Sequence, residues 1–274
     1  MTRGAAVATR LSPTRARLSG RRRGLGVAGL AFAALLAELL PRSGVIDDRF
    51  LPPGTVIARA LFEDVRDGAF WGTLLLTLRT WSIGLVAAVV AGVAFGMLIG
   101  SMPLLRQFTA TMIEFARPIP SVALVPLAVL LFGTAIQSTL LLVVYAAFWQ
   151  VLGQVIYGVQ DVDPVARDTA RCYRFRRVVE QVRLVWPTTL PYVVTGFRLA
   201  ATVALVLTIT GELLIGTPGL GQRLGVAQQS GAVPEMYAIV LVTGLLGVAV
   251  NTFVRVLERR VLHWHPAIRR EGAR

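Results

Sequence analysis

"TLLLTLRTWSIGLVAAVVAGVAFGMLIG", residues 73–100, carries one charged side chain, Arg79. A helix rises about 1.5 Å per residue, so about 20 apolar residues suffice to cross the hydrocarbon of a bilayer. This stretch therefore reads as a membrane span. Within it Gly84, Ala88, Gly92, Gly96 and Gly100 recur every fourth residue and share one helical face. Small residues there let a second backbone approach closely. Packing within the chain and contact between subunits are equally open uses of that face.

Applied outward, the same length rule finds five more spans, at 25–41, 119–133, 138–159, 190–212 and 236–257. The chain has 274 residues, a mean hydropathy of +0.65 and only 16% charged residues, a balance expected of a protein dissolved mainly in lipid. The expected fold is all-α, a polytopic membrane protein of six transmembrane helices. The span at 119–133 is short and is the least regular. In "RPIPSVALVPLAVLLFG" (117–133), Pro118, Pro120 and Pro126 remove backbone donors and disfavour helix in the residues before them. Irregular backbone at membrane depth is tolerated only where protein covers it or a watery cavity borders it, so these prolines are candidate pathway residues. A simple kink is the other reading.

All 28 positive residues are arginines, concentrated in 1–24, 101–118, 160–188 and the C-terminal segment. Asp47, Asp48, Glu63, Asp64 and Asp67 cluster between the first two spans. Cytoplasmic loops carry the positive excess, which places both termini in the cytoplasm. The expected organisation is a basic tail (1–24), one membrane domain (25–260) and a C-terminal tail (261–274). "SGRRRGLGVAGLAFAALLAELLP" also has the basic and apolar parts of a secretory signal, but no small-residue cleavage site follows, so it reads as an uncleaved span.

Several function classes drop out. A phosphate-binding ATPase loop needs a lysine, which this chain lacks. The arginines flank apolar spans without aromatic interleaving, which disfavours nucleic acid. Cys172 is the single cysteine, so no intramolecular disulfide forms. His263 and His265 in "LHWHP" have no carboxylate or thiolate companion and make an incomplete metal site. No nucleophile, base or paired-acid grouping is present, so no catalytic residue and no cofactor is expected in this chain.

In the fifth span, Thr195, Arg198, Thr202, Thr208 and Glu212 fall on one side of a helical wheel. Intramembrane charge is costly and usually faces a bundle interior or cavity, which makes these residues pathway candidates. Alternatively, Arg198 snorkels to the interface and the threonines bond their own backbone. Glu212 and the loop "GELLIGTPGLGQ" lie at the outer end.

The arginine-rich break is "DVDPVARDTARCYRFRRVVEQVRLVWPTTLP", residues 161–191. Asp163 suits an N-cap and Pro164 a first helical position. Val165, Ala166, Thr169, Ala170, Cys172 and Tyr173 then fill one arc, and Arg167, Asp168, Arg171 and Arg174 the opposite one. After a break near 174–177 a second helical pattern begins, with Arg176 and Glu180 spaced for an i,i+4 pair. Pro187 and Pro191 open the fifth span. Periodicity alone fits either a helix lying on the membrane surface or a docking element.

Here the chain resembles the membrane-spanning subunits of bacterial ABC importers that work with a binding protein. Their signature is Glu-Ala-Ala, three residues, Gly, nine residues, then Ile-x-Leu-Pro. This sequence offers Asp168-Thr169-Ala170, Arg174 at the glycine position, and Leu184, Trp186 and Pro187 at the close. "RPIPSVALVPL", "DPVARDTAR", "LPYVVTGFRLA" and "TPGLGQ" are similar to the nitrate, sulfonate and taurine type. The resemblance implies that 163–187 contains a coupling helix for an ATPase, with Asp163, Pro164, Arg167, Asp168, Thr169, Ala170, Arg171, Arg174 and Pro187 in that role. It implies a cell inner membrane permease acting as a homodimer with two copies of a cytoplasmic ATP-binding subunit, which binds ATP and Mg. An extracytoplasmic binding protein would deliver a small polar or anionic organic solute, with which Arg117, Arg198 and Arg223 are compatible. A secondary transporter driven by an ion gradient is the alternative, and would favour paired intramembrane acids. Arg174 departs from the pattern: a positive φ there costs a non-glycine residue about 1 kcal/mol.

Overall fold

The computed structural model describes residues 28, 29, 31–44, 47 and 49–263, and every regular element among them is helical. The basic tail 1–24, Asp48, His265 and the rest of the C-terminal tail beyond His263 lie outside the described residues. The chain divides into two units after Ala60. In the first, helix α1 runs over 31–42, overlapping the expected first span and ending one residue beyond it. Its Glu38 accepts hydrogen bonds from the backbone N–H (2.9 Å) and hydroxyl (3.0 Å) of Thr55, at the start of α2 (Gly54–Arg66).

The second unit opens with α3 (Gly68–Ser101), which starts five residues before the apolar run because Asp67 caps it, accepting the Ala69 N–H at 3.0 Å. Helix α6 (Ile136–Gln160) follows a broken region. Further on, α8 (Arg177–Glu180) joins α9 (Trp186–Ile215) into one continuous helix, and α11 (Val233–Val261) ends the membrane part. These four helices, α8 and α9 taken as one, are long and apolar enough to cross a membrane, and a bent pair raises the number to as many as five.

The glycine ladder fixes how the first two pack. A methyl group at Gly84 would fall 2.5 Å from Val143, at Gly92 2.7 Å from Val151, at Gly96 2.7 Å from Val155 and at Gly100 2.8 Å from Val159. Two i,i+4 rows, small on α3 and β-branched on α6, therefore mesh at backbone distance. The small-residue face serves packing within the chain. Partner numbers rise together, so α3 and α6 run parallel.

A parallel pair requires the chain between them to travel back across. The return is made by α4 (Pro103–Ala116) and, after a bend of 83°, a 3₁₀ turn and α5 (Val125–Phe132). The arginine-bearing 101–118 is thus mostly helix, and the short span expected at 119–133 is one arm of a bent pair with α4, with the geometry of a broken span or a re-entrant loop. Pro118 and Pro120 supply the cause. They lack the N–H groups that would continue α4, and the Ala116 carbonyl, which Pro120 cannot serve, accepts the Tyr145 hydroxyl of α6 at 2.6 Å.

Contacts of α9 with α6 run the other way. Gly158 meets Tyr192, Gly196 meets Gln154, and Gly211 meets Thr139, so these helices are antiparallel. Helix α11 is antiparallel to α9 in turn, with Arg198 pairing Glu258 and Gly247 touching Leu205. The ends of α3, α6 and α11 and the start of α9 thus share one side, with Arg167 through Arg183 and Arg255, Arg259 and Arg260. Glu212, Thr217 and the short helix α10 (Leu220–Gln229) lie on the opposite side.

Candidate functional site

At the arginine-rich end, Asp163 accepts the Val165 N–H at 2.8 Å and Pro164 takes the first turn of α7 (Pro164–Cys172). Ala170 is buried, while Asp168 and Arg171 form an exposed pair at 3.2 Å. Thr169 donates to the Val165 carbonyl at 2.8 Å. The helix ends in a Schellman turn: Phe175 N–H bonds the Ala170 carbonyl at 3.0 Å and Arg174 N–H bonds that of Arg171 at 2.9 Å. Arg174 sits at φ +52°, the one non-glycine residue with positive φ among the described residues. The conformation expected at the signature glycine is therefore present, and an arginine adopts it.

Beyond the turn, Glu180 faces Arg167 of α7 at 3.7 Å, not Arg176 as the i,i+4 spacing suggested. Gln181 donates to Ser101, at the end of α3, at 3.2 Å. Tyr192 of α9 donates to Asp161 before α7 at 2.8 Å. The segment is thereby tied to α3 and α9. Residues Gln181–Val185 form a π-helical turn, with Trp186 N–H reaching the Gln181 carbonyl. Pro187 follows directly; its ring would clash with the carbonyl four residues back, and the wider turn relieves that.

At the opposite end stands an arrangement of buried polar groups. Glu212 is fully buried. Its Oε2 accepts from the Thr77 hydroxyl of α3 (2.9 Å) and from the Gly221 N–H at the start of α10 (3.0 Å). Thr77 in turn accepts the Leu220 N–H at 2.8 Å, and Thr139 bonds Thr217 at 2.8 Å. A carboxylate of one helix thus caps the N-terminus of another, where dipole and free N–H groups favour negative charge. The glycines of "TPGLGQ" permit it: a methyl at Gly219 would fall 2.1 Å from the Glu212 carboxyl carbon, and one at Gly221 2.2 Å from the Ile209 carbonyl. Just outside, Arg223 pairs with Asp64 and with Glu235 (3.2 Å), so it is no free cation for an anionic solute. Burial raises the Asp64 carboxyl above its ordinary value, with Arg223 opposing the shift.

The expected polar face of α9 divides. Thr195, Arg198 and Thr202 are exposed, whereas Thr208 and Glu212 are interior. Thr195 and Thr202 donate to the carbonyls of Pro191 (2.9 Å) and Arg198 (3.3 Å), and Arg198 pairs with Glu258 at 3.5 Å. Pro118, Pro120 and Pro126 are exposed along the broken crossing. Among the described residues no three His, Cys, Asp or Glu side chains come together as a metal site would need.

Residues 84–263 match the family model described as "Binding-protein-dependent transport system inner membrane component". The chain belongs to that family, the permease subunits of ABC importers. The chain is 26% identical over 248 residues to the aliphatic sulfonates transport permease protein SsuC of Bacillus subtilis, covering 89% of this chain and 90% of that one. It is 29% identical over 226 residues to the taurine transport system permease protein TauC of Escherichia coli, covering 81% and 82%. A nitrate import permease protein, NrtB of Leptolyngbya laminosa, matches at 26% over 195 residues, covering 71% and 70%. The fold is similar to that of a chain of the MetNI methionine ABC transporter seen in inward-facing conformations, with a TM-score of 0.59 at 15% identity over 74% of this permease and 99% of that chain.

Proposed function

We propose that segment 163–187 is the joint through which a cytoplasmic ATPase drives this permease. The observation that carries the reading is the turn at Arg174. It gives the signature position the backbone reserved for glycine and holds α7 with Ala170 buried, while Asp168, Arg171 and the apolar Val165, Cys172 and Tyr173 stand exposed, as a docking element would present them. Asp163, Pro164, Arg167 and Thr169 shape that helix, and Pro187 sets the π turn that joins it to α9. ATP and Mg belong to the ATPase, two copies of which pair with two copies of the permease.

A dimer is supported by an apolar groove of about 770 Å³ on α5 and α6, lined by Leu127, Leu140, Val144, Tyr145 and Trp149. The five crossings from α3 to α11 leave the arginine-rich side holding the end of α11. The arginine excess there makes that side cytoplasmic, and the arginines of 1–24, ahead of a sixth span at 25–41, assign the N-terminus to the cytoplasm by the same rule. The domain is then 25–260, between tails 1–24 and 261–274. An extracytoplasmic binding protein delivers solute at the Glu212 end. The pathway runs along the broken crossing at Pro118, Pro120 and Pro126 and the exposed Thr195, Arg198 and Thr202 of α9, with Glu212 closing the outer end. Its cargo is a small polar or anionic organic solute, of the kind for which the sulfonate, taurine and nitrate relatives are named.

The test is co-purification of the permease with its ATPase, together with uptake into vesicles supplied with ATP and the binding protein. Asp168→Arg is expected to abolish association and ATP-dependent uptake while the protein still folds. Unchanged association and uptake would overturn the joint.

A further inference from the structure

A cleft of about 760 Å³ lies between the α3–α4 junction and the α7–α8 segment, apart from the solute pathway. Arg167, Arg171 and Arg177 line it, with Glu180 the one carboxylate in its wall. Their charges are poorly matched. Arg167 keeps a loose ion pair with Glu180 (3.7 Å) and donates from its terminal nitrogen to the Val159 carbonyl at 3.4 Å, while its buried Nε makes no hydrogen bond. Arg171 is shared with Asp168 on the outer, exposed side of α7, a pairing that contributes little. No ion pair among the described residues engages Arg177. The start of α4 (Met102, Pro103 and Leu104) closes the cleft, and no side chain caps that helix. Three arginines and the open N–H groups at the start of α4 border one volume, and Arg177 is left without a carboxylate partner among the described residues, a donor set that matches a phosphate group.

The neighbouring surface identifies the source of the phosphate. Leu104, Phe108, Met112 and Phe115 recur along one face of α4, each at least 65% exposed, and the row begins in the cleft wall at Leu104. A soluble phosphate has no use for such a stripe, whereas acyl chains do. We propose that the cleft holds the headgroup of an anionic phospholipid whose acyl chains lie along the Leu104–Phe115 face of α4.

The experiment is native mass spectrometry of the purified full-length permease, titrated with phosphatidylglycerol, with phosphatidylcholine of the same chains, and with inorganic phosphate. Phosphatidylglycerol is expected to bind about tenfold tighter than phosphatidylcholine, and Arg177→Gln to remove about that factor, as loss of a charge-assisted hydrogen bond would. Arg177→Lys should recover part of the affinity. Arg183→Gln, the same charge loss on the exposed π turn outside the cleft, should stay within about twofold of the parent. Phe108→Asn should weaken the lipid and leave inorganic phosphate unaffected. Equal binding of the two lipids, an Arg183→Gln defect as large as that of Arg177→Gln, or full displacement of lipid by inorganic phosphate would each overturn the proposal.

Discussion

The two ends of α9 solve opposite problems with polar residues. At the arginine-rich end the charges of α7 and α8 pair loosely at 3.2 to 3.7 Å, Asp168 with Arg171 in the open and Arg167 with Glu180 half-buried. At the other end one carboxylate is sealed among Thr77, Gly219 and Gly221, with bonds of 2.9 and 3.0 Å. Burial makes the difference. A buried polar group left without its partner costs its full desolvation, whereas an exposed one falls back on water. The sealed end is therefore fixed by structure, and the open end is cheap to rearrange and suited to being pushed.

Substitutions at the two ends should expose that asymmetry in thermal unfolding of the purified permease. The largest effect is expected from Gly221→Val, which drives a side chain into the Ile209 carbonyl and should cost about 3 kcal/mol or more. Glu212→Ala should follow at about 2–3 kcal/mol, because it strands the Thr77 hydroxyl and the Gly221 N–H, with Glu212→Gln recovering part. At the open end, Arg174→Gly should raise stability slightly, by at most about 1 kcal/mol, since glycine takes φ +52° without strain but loses more chain entropy. Asp168→Ala should change stability by less than about 0.5 kcal/mol, yet weaken ATPase association. If Asp168→Ala unfolds the protein, or Glu212→Ala leaves it untouched, the contrast between the ends is wrong.

Periodicity was enough to read α6, α9 and α11 to within a few residues, because a lipid-spanning run is a local property. Prolines 118, 120 and 126 flagged the broken crossing, yet α4 stayed hidden, since "PLLRQFTATMIEFA" is too polar to stand out as a span. The break near 174–177 and the strained position at Arg174 were legible once the signature was aligned, whereas the hydrogen bonds of the Schellman turn were not. Two things were out of reach. Thr77 and Glu212 are 135 positions apart, and nothing in a helical wheel says that a threonine in one span will hold a carboxylate in another. Helix α10, carrying Gly221 and Gly225, reads locally as loop. Its N-terminus is paid for by a partner from α9, a long-range capping contact that local propensity does not encode.

Because the π turn joins α8 to α9 without a break, Arg177–Ile215 is a single rod of 39 residues, about 58 Å long at 1.5 Å per residue. It leans on α6 where Gly196 meets Val151 and Gln154, close to its midpoint. Its contacts with α6 also extend toward both ends, at Tyr192 with Gly158 and at Gly211 with Thr139, so a tilt of about 5° about the midpoint, which would carry each tip by roughly 2.5 Å in opposite directions, has to slide both of those contacts. Such a displacement is about the length of one hydrogen bond. If the ATPase pushes beside Arg177 as proposed, a tilt of that size would be comparable in scale to the bonds that Glu212 makes at the far tip.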